Sequence, residues 1–263
     1  MSGFTSIDEQ ADPGFYVDLM LMADNLPNIQ DIEALAVAAL RLEPGHRVLD
    51  VGCGTGEDTR RLAALVGPGG TAMGVDVSKA MVEVARARSV GHGLPATFDV
   101  VDGAELPFPD NSFDAVRAER VLIHCPDPQA VLAEMVRVLR PGGRIVAIDV
   151  DFDLCVLDLP DLALTRRTIS AMSDSMASGT IGRQLVRRFR ALGLTEPAFD
   201  CRFVPMSQEF LSHLIPGSLE GAVADGLLDR ATADACWQAC EAEFAAGGLF
   251  SGFPFFMVAG TKP

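Results

Sequence analysis

The stretch Val48-Leu49-Asp50-Val51-Gly52-Cys53-Gly54-Thr55-Gly56-Glu57 decides the fold of this 263-residue chain. An apolar run typical of a buried strand is followed by three glycines at alternate positions, after which a helix is predicted to begin. Glycines at such a turn let backbone N–H groups approach a ligand at a helix N-terminus. The residue after the third glycine is Glu57, whereas the dinucleotide fingerprint G-x-G-x-x-G needs a small residue there. The loop therefore predicts a nucleoside cofactor and argues against a dinucleotide.

Two further acids follow predicted strands. Asp76 ends a strand about 20 residues after the glycine loop, where a carboxylate can accept hydrogen bonds from both ribose hydroxyls of an adenosine. A helix-start acid is the alternative, although Ser78 already suits the helix cap. Asp102 follows the next strand and can receive an adenine amino group, whereas Asp-Gly alone is only a turn signal. All three motifs fall at C-terminal strand ends, where open α/β sheets bind ligands.

Strands alternate with helices through the first 150 residues. This alternation predicts right-handed crossovers and a parallel sheet. Two further strands are predicted near the C-terminus. The predicted strands span residues 47–51, 71–76, 96–101, 113–118, 144–149, 198–206 and 253–261.

Three later motifs complete a family pattern. They are Phe113-Asp114-Ala115-Val116, Val121-Leu122-Ile123-His124-Cys125-Pro126-Asp127-Pro128 and Arg140-Pro141-Gly142-Gly143-Arg144. With the glycine loop and the two acids, they make the chain resemble the small-molecule branch of class I S-adenosylmethionine (SAM) methyltransferases, which includes the ubiquinone and menaquinone biosynthesis enzymes. The resemblance is dense over residues 30–150 and weak on substrate. It implies a Rossmann-like α/β fold: a seven-stranded, mostly parallel sheet with an antiparallel last strand and helices on both faces.

The resemblance also implies SAM as cofactor, S-adenosylhomocysteine as product, and a set of cofactor-binding residues. By this resemblance, the methionine part meets Asp50, Gly52, Gly54 and Gly56; the ribose and adenine meet Asp76, Val77 and Met81; the adenine pocket is formed by Asp102, Gly103 and Ala104; and Ala118, Glu119 and Arg120 lie beneath the sulfonium.

The favoured candidate bases are His124, Asp149 and Asp151; His213 is a fourth candidate, for which a surface role is the favoured alternative. Methyl transfer depends mainly on positioning and exclusion of water, and needs a base only if the nucleophile must lose a proton. Some sugar O-methyltransferases of this branch carry paired histidines here, the first being the base candidate; Ile123 takes that place, so a positioning role for His124 stays open. The two aspartates leave the fifth predicted strand toward the ligand edge, and polar strand-end residues are the alternative.

The composition excludes several classes of partner. The net charge of −15 repels phosphate backbones, so we expect no nucleic-acid substrate. We expect a cytoplasmic protein with no membrane association, because no apolar stretch spans a bilayer, the first residues are polar and acidic, and the six cysteines are scattered. Cys236 and Cys240 have too few further ligands for a zinc pattern, so we expect no metal.

We expect a single domain over residues 1–263, with a core of about 30–150 and two insertions of about 151–180 and 208–246. Long insertions at a ligand-bearing edge are more often functional, so we interpret them as a lid over the substrate; a homodimer interface is the alternative. Methionines and aromatics suit an apolar substrate as well as an ordinary core. The candidate pocket residues are Tyr16, Met20, Met172, Met176 and Phe250.

The sequence thus predicts methyl transfer from SAM to O, N or C of a small, largely apolar molecule, of quinone or natural-product type. Three rival readings stay open. A SAM-fold protein could catalyse a reaction without methylation, such as a cyclisation, because no base is obvious. A nicotinamide oxidoreductase is disfavoured by Glu57 and by the lack of a Tyr-x-x-x-Lys pair. A non-catalytic SAM-sensing protein would have no enclosed substrate cavity.

Overall fold

The computed structural model describes residues 8, 17 and 27–263. Its helices are α1 (Pro27–Leu40), α2 (Glu57–Val66), α3 (Lys79–Ser89), α4 (Pro128–Val138), α5 (Leu162–Asp174), α6 (Ile181–Ala191), α7 (Gln208–Ala224) and α8 (Arg230–Ala245). Its strands are β1 (Arg47–Val51), β2 (Thr71–Asp76), β3 (Ala96–Val100), β4 (Phe113–Glu119), β5 (Leu139–Val150), β6 (Val156–Leu157), β7 (Thr195–Pro205) and β8 (Ser251–Thr261). Short 3-10 helices occupy Leu122–His124 and Phe152–Leu154.

The strands form one mixed sheet in the order β3-β2-β1-β4-β5-β8, with β7 on the far side of β8. Strands β1 to β5 are parallel, and β8 runs antiparallel to both β5 and β7. The predicted Rossmann-like class, with an antiparallel last strand, is confirmed. The sheet has eight strands where seven were predicted, because Val156 and Leu157 pair with the start of β8.

Caps and apolar spacing explain where the core helices begin and what they bury. The Ser78 hydroxyl accepts the Met81 amide at 3.2 Å and starts α3, which then buries Met81, Val82 and Ala85 on one face. The Asp127 carboxylate accepts amides of the first turn of α4 in the same way. One continuous apolar core runs from α1 through the sheet to β8.

Some helices and strands begin or end at residues other than those predicted from the sequence. The helix expected from residue 55 begins at Glu57, because Gly56 is left-handed, with φ of 76°. The second insertion is two helices, since Gly226 ends α7 with a left-handed turn and Asp229 caps α8. The first insertion contains a 3-10 turn, β6 and α5. Among the described helices, none has the length and apolar character that a bilayer crossing requires.

Candidate cofactor and active site

The C-terminal ends of neighbouring strands meet along one edge of the sheet. Val51 of β1 pairs with Val75 of β2 on one side and with Ala118 of β4 on the other, and Ala118 pairs with Ala147 of β5. Adjacent strands lie about 4.8 Å apart, so the segments that follow these residues are neighbours in space. The strand order reverses between β1 and β4, which is the crevice where sheets of this type bind ligands.

The glycine loop packs tightly against the protein itself. An added Cβ at Gly52, where φ is 72°, would lie 2.1 Å from a methyl carbon of Val121. At Gly56 it would lie 2.5 Å from the Phe98 ring. These two glycines are therefore required by backbone conformation and by packing of the loop onto β3 and the β4 turn, and not only by the approach of a ligand. Gly54 is also left-handed, with φ of 49°.

Asp76 is joined to the glycine loop by a direct hydrogen bond. Its Oδ2 accepts the Gly54 amide at 2.9 Å, and its Oδ1 accepts the Ser78 amide at 2.9 Å. Burial raises the pKa of Asp76, while the amides of Ser78 and Gly54 act in the opposite direction. Because each carboxylate oxygen has more than one acceptor site, Asp76 keeps the capacity to accept ligand hydroxyls.

Asp8 caps α3 from a distant part of the chain. Its carboxylate accepts the Ser78 hydroxyl at 2.7 Å and the amides of Lys79 and Ala80 at 2.8 and 3.1 Å. The hydrogen bond from Ser78 lowers the pKa of Asp8, and the charge of Asp8 in turn raises that of Asp76. A single residue far from the glycine loop in sequence thus contacts the start of the helix that follows Asp76.

The residues assigned to the adenine lie beside Asp76. Val77 is 56% exposed, which leaves an apolar face for a ring, whereas Met81 is buried on the inner face of α3. Asp102 is exposed and accepts the Ala104 amide at 2.9 Å in a tight turn. Gly103 packs so closely on β1 that an added Cβ would lie 2.9 Å from a valine methyl carbon.

A fully buried arginine holds both ends of the glycine loop. Arg117 Nη1 lies 3.0 Å from Oδ2 of Asp58, its Nε lies 3.7 Å from Oδ1 of Asp50, and its Nη2 contacts Glu119. Thr59 also donates to Asp50, at 2.7 Å. We name Arg117, Asp50, Asp58 and Glu119 the Arg117 cluster. It ties the residue before the loop and the first turn of α2 to the end of β4.

Three carboxylates meet beside this cluster. Glu33, Asp58 and Glu119 each place an oxygen within 4.8 Å of the others. Arg61 Nη1 lies 2.6 Å from Glu33 and 3.2 Å from Asp58, and Arg117 contacts Asp58 and Glu119. Burial raises the pKa of Glu33 and of Glu119. Guanidinium groups already balance these acids, so the geometry is that of a buried ion-pair network.

Strand β4 extends one residue further into the segment expected beneath the sulfonium than the sequence predicted. Ala118 and Glu119 belong to β4, which was predicted to end at Ala118, and Arg120 follows with a left-handed backbone, φ 54°. A bulky residue with positive φ is strained, and such strain concentrates at functional sites. The Arg120 amide donates to the Ile148 carbonyl at 2.8 Å, which fixes this turn against β5.

His124 and Asp149 belong to one structural unit. Asp149 is fully buried, and its carboxylate accepts the amides of Ile123 and Val150 at 3.2 and 3.0 Å. It therefore holds the 3-10 turn that carries His124. Burial raises the pKa of Asp149 to about 7. Burial and the nearby Arg120 lower the pKa of His124 to about 4, so this imidazole is neutral near pH 7.

Asp151 is committed to an ion pair. It is fully buried, and its carboxylate binds the Arg183 guanidinium through both oxygens, with Oδ1 2.6 Å from Nη2. It also accepts the Arg183 amide at 3.3 Å in the first turn of α6. This geometry favours a role in anchoring α6 and leaves a catalytic role for Asp151 as an untested hypothesis.

The candidate substrate residues are scattered. Met172 is buried in α5, and Met176 is half-buried in the segment after it. Phe250 is 52% exposed and stacks on Phe203 of β7 at the far edge of the sheet. Tyr16 and Met20 lie outside the described residues, so their assignment to the pocket remains a prediction.

The assembled edge fits a nucleoside cofactor. It offers a carboxylate for ribose hydroxyls at Asp76, an exposed apolar face at Val77 and an acid at Asp102. The adjacent glycine loop has no room for a side chain at Gly52 or Gly56. Sequence reasoning missed Arg117 and Asp8. A charged residue within the apolar run of β4 was the available signal for Arg117, whereas nothing in the sequence marked Asp8.

A family model described as a methyltransferase domain matches residues 42–191, which is more than half of the chain. The protein therefore belongs to this methyltransferase family, and its resemblance to the class I SAM-dependent branch is confirmed. The methyltransferase GfsG of Streptomyces halstedii is 41% identical over 136 residues, covering 47% of this chain and 48% of GfsG.

The ubiquinone/menaquinone biosynthesis C-methyltransferase UbiE of Burkholderia cenocepacia is 36% identical over 117 residues, covering 44% of this chain and 48% of UbiE. The chain spans about half the length of the curated relatives it matches. Among solved structures, the cyclase SpnF is similar at 27% identity and a TM-score of 0.52, with 89% of this chain and 80% of SpnF covered.

Proposed function

We propose that this protein transfers a methyl group from SAM to an O, N or C atom of a small, largely apolar molecule of quinone or natural-product type. The observation that carries the proposal is the alignment of the glycine loop, Asp76 and Asp102 on three adjacent strands, in a chain of the methyltransferase family. The similarity to the methyltransferases UbiE and GfsG supports this class of activity.

The residues divide the work between binding and positioning. SAM supplies a methyl group activated by its sulfonium. Asp76 accepts hydrogen bonds from the ribose hydroxyls, and the Arg117 cluster keeps the glycine loop in the conformation that receives the methionine part. Aligning donor and acceptor supplies most of the acceleration that displacement at a methyl carbon needs. The neutral imidazole of His124 accepts a hydrogen bond, or a proton, from the acceptor atom.

The helical insertions form the cover of the substrate site. Helices α5, α7 and α8 pack on one another. The segment after α5 lies against the His124 turn, because the Ser178 amide donates to the Ile123 carbonyl at 2.9 Å and its hydroxyl donates to the Cys125 carbonyl at 2.9 Å. Met176 lies two residues away in this segment, which favours its assignment as an apolar contact of the substrate.

A second candidate function is a cyclisation carried out on the same fold. The similarity to SpnF, which is named a cyclase, favours it. In that case the cofactor stays intact, and the cover helices fold the substrate into a reactive conformation.

One experiment separates the two functions. The protein is incubated with SAM and a panel of hydroxylated quinones and conjugated polyenes, and S-adenosylhomocysteine is quantified by mass spectrometry. Methyl transfer predicts equal amounts of S-adenosylhomocysteine and methylated product, both reduced in Asp76→Ala when SAM is below saturation. A product of unchanged mass without S-adenosylhomocysteine would overturn methyl transfer and support cyclisation.

A further inference from the structure

The sheet ends in a long, exposed edge strand. β7 pairs with β8 along one side, and within residues 27–263 no strand pairs with its other side. Nearly all of its residues are at least partly exposed, with Val204 buried. Unpaired N–H and C=O groups along such an edge are a template for pairing with another strand.

The sequence of this edge is complementary to itself. Residues 197–205 read Pro-Ala-Phe-Asp-Cys-Arg-Phe-Val-Pro, which is nearly symmetric about Cys201. If two copies pair in antiparallel fashion about this residue, Phe199 lies opposite Phe203 of the partner subunit, and Asp200 lies opposite Arg202 of the partner subunit. Opposite charges and aromatic pairs at directly facing positions are the combinations that stabilise a ladder.

Side chains on each of the two faces of β7 provide independent support for this register. Phe199 and Phe203 project on one face and are 56% and 39% exposed, and the exposed Phe250 stacks on Phe203 with ring centroids 5.7 Å apart. Exposed aromatic clusters of this kind mark interaction surfaces. On the other face Asp200 and Arg202 already form an ion pair, with 2.7 Å between Nε and Oδ1. Both groups keep further donor and acceptor sites for a second copy.

Prolines at both ends of residues 197–205 limit the length of the ladder that two copies can form. Pro197 and Pro205 face each other in this register and lack the N–H group that would extend the ladder. An antiparallel pairing about a two-fold axis uses the same edge of both copies, so the assembly closes at two. We propose that two copies of this chain join their β7 edges about Cys201 and form a homodimer with one continuous sheet. This proposal does not depend on the reaction catalysed.

A charge-swap experiment tests the register. Asp200→Arg places two arginines opposite each other in a homodimer, and Arg202→Asp places two aspartates. Each variant alone should raise the dimer dissociation constant at least about tenfold, since like charges facing each other in a ladder repel. In an equimolar mixture of the two variants every facing pair is again Arg with Asp, so a heterodimer should form with parent-like affinity.

The masses are measured by light scattering after size exclusion and by mass photometry, with circular dichroism to check the fold. Asp99→Arg on β3, at the opposite edge of the sheet, is the matched control and should dimerise like the parent. A parent that stays monomeric at every concentration, a dimer that both variants leave intact, or a mixture that fails to form heterodimers would each overturn the proposal.

A thiol cross-link gives an independent readout. Cβ atoms of directly facing residues in an antiparallel pair lie about 4.5–5.5 Å apart, and the lower end of this range meets the roughly 3.5–4.5 Å of a disulfide. Cys201 is exposed, and it would face its own copy. Mild oxidation should therefore give a covalent dimer in the parent and none in Cys201→Ser. A covalent dimer that persists in Cys201→Ser would place the contact elsewhere and contradict the register.

Discussion

The Gly54 amide donates a hydrogen bond of 2.9 Å to a carboxylate oxygen of Asp76, and this contact joins the cofactor motifs of two neighbouring strands. Ser78 holds the other oxygen at the same distance. The carboxylate is therefore already oriented before a ligand arrives, which reduces the ordering cost of binding.

Gly54→Val should reduce SAM binding below detection. A β-branched side chain is strained at the positive φ of this position and would occupy the space beside the methionine part. Gly67→Val is the matched control, because Gly67 has φ of 65° and open space around it at the far end of α2. Calorimetry on folded variants decides the question. Micromolar affinity in Gly54→Val would remove the cofactor assignment.

Asp76→Ala should weaken SAM binding at least about tenfold, since hydrogen bonds to a charged group contribute roughly 1.5–3 kcal/mol. The matched control is Asp99→Ala, which removes an exposed acid from the adjacent strand β3. Titration calorimetry measures both affinities. If Asp76→Ala binds like the parent, the residue serves only to start α3.

The sequence indicated those parts of the candidate site that depend on residues near one another in the chain. Each of these parts lies within a few residues of a strand end in the sequence: the glycine loop, Asp76 and Asp102. Parallel topology brings such ends together. The parallel arrangement of the first five strands followed from the alternation of strands and helices. These features need no knowledge of distant contacts.

The remaining features depend on neighbours that are remote in sequence. The Arg117 cluster contains side chains from β1, α2 and β4. No spacing of residues along the chain predicts these contacts. Asp8 reaches α3 across about 70 residues. Val156 and Leu157 become a strand only because β8 lies beside them, and two residues carry no periodic signal.

Asp149→Asn should change how stability depends on pH. Burial raises the pKa of Asp149 to about 7, so between about pH 4 and pH 7 the folded chain keeps a proton that the unfolded chain has released. Stability therefore falls as the pH rises through this window. Between about pH 5 and pH 8, the free energy of unfolding of the parent should fall by at most about 3 kcal/mol relative to that of Asp149→Asn. Urea unfolding measures both values. A difference that is constant with pH would show that Asp149 is ionised in the fold.

Asp151→Asn should lower stability by about 1.5–3 kcal/mol, because it removes the fully buried carboxylate that accepts hydrogen bonds from the Arg183 guanidinium and leaves only Asp153 beside that charge. Asp153→Asn is the matched control, since Asp153 contacts the same guanidinium from a more exposed position and should cost less than about 1 kcal/mol. Thermal and urea unfolding give both values. Lost activity with unchanged stability in Asp151→Asn would instead indicate a catalytic role.

The rate of methyl transfer should be independent of pH between about pH 5.5 and 8 if His124 is the base, because burial lowers its pKa to about 4 and the imidazole is neutral throughout. His124→Gln should then reduce kcat by about 100-fold or more, within the usual range for acid–base catalysis. A midpoint near pH 7 that disappears in Asp149→Asn would assign the base to Asp149 instead.

The place of β8 between β5 and β7 has a consequence for synthesis on the ribosome. β7 pairs within residues 27–263 with β8 alone, and β8 also covers the open side of β5. Strands β1 to β5 can assemble while translation continues, but residues 195–205 have no partner in the sheet until residues 251–261 have left the exit tunnel. The nascent chain therefore carries an unpaired, aromatic strand for the time needed to translate two helices, and in that interval this strand is most exposed to aggregation.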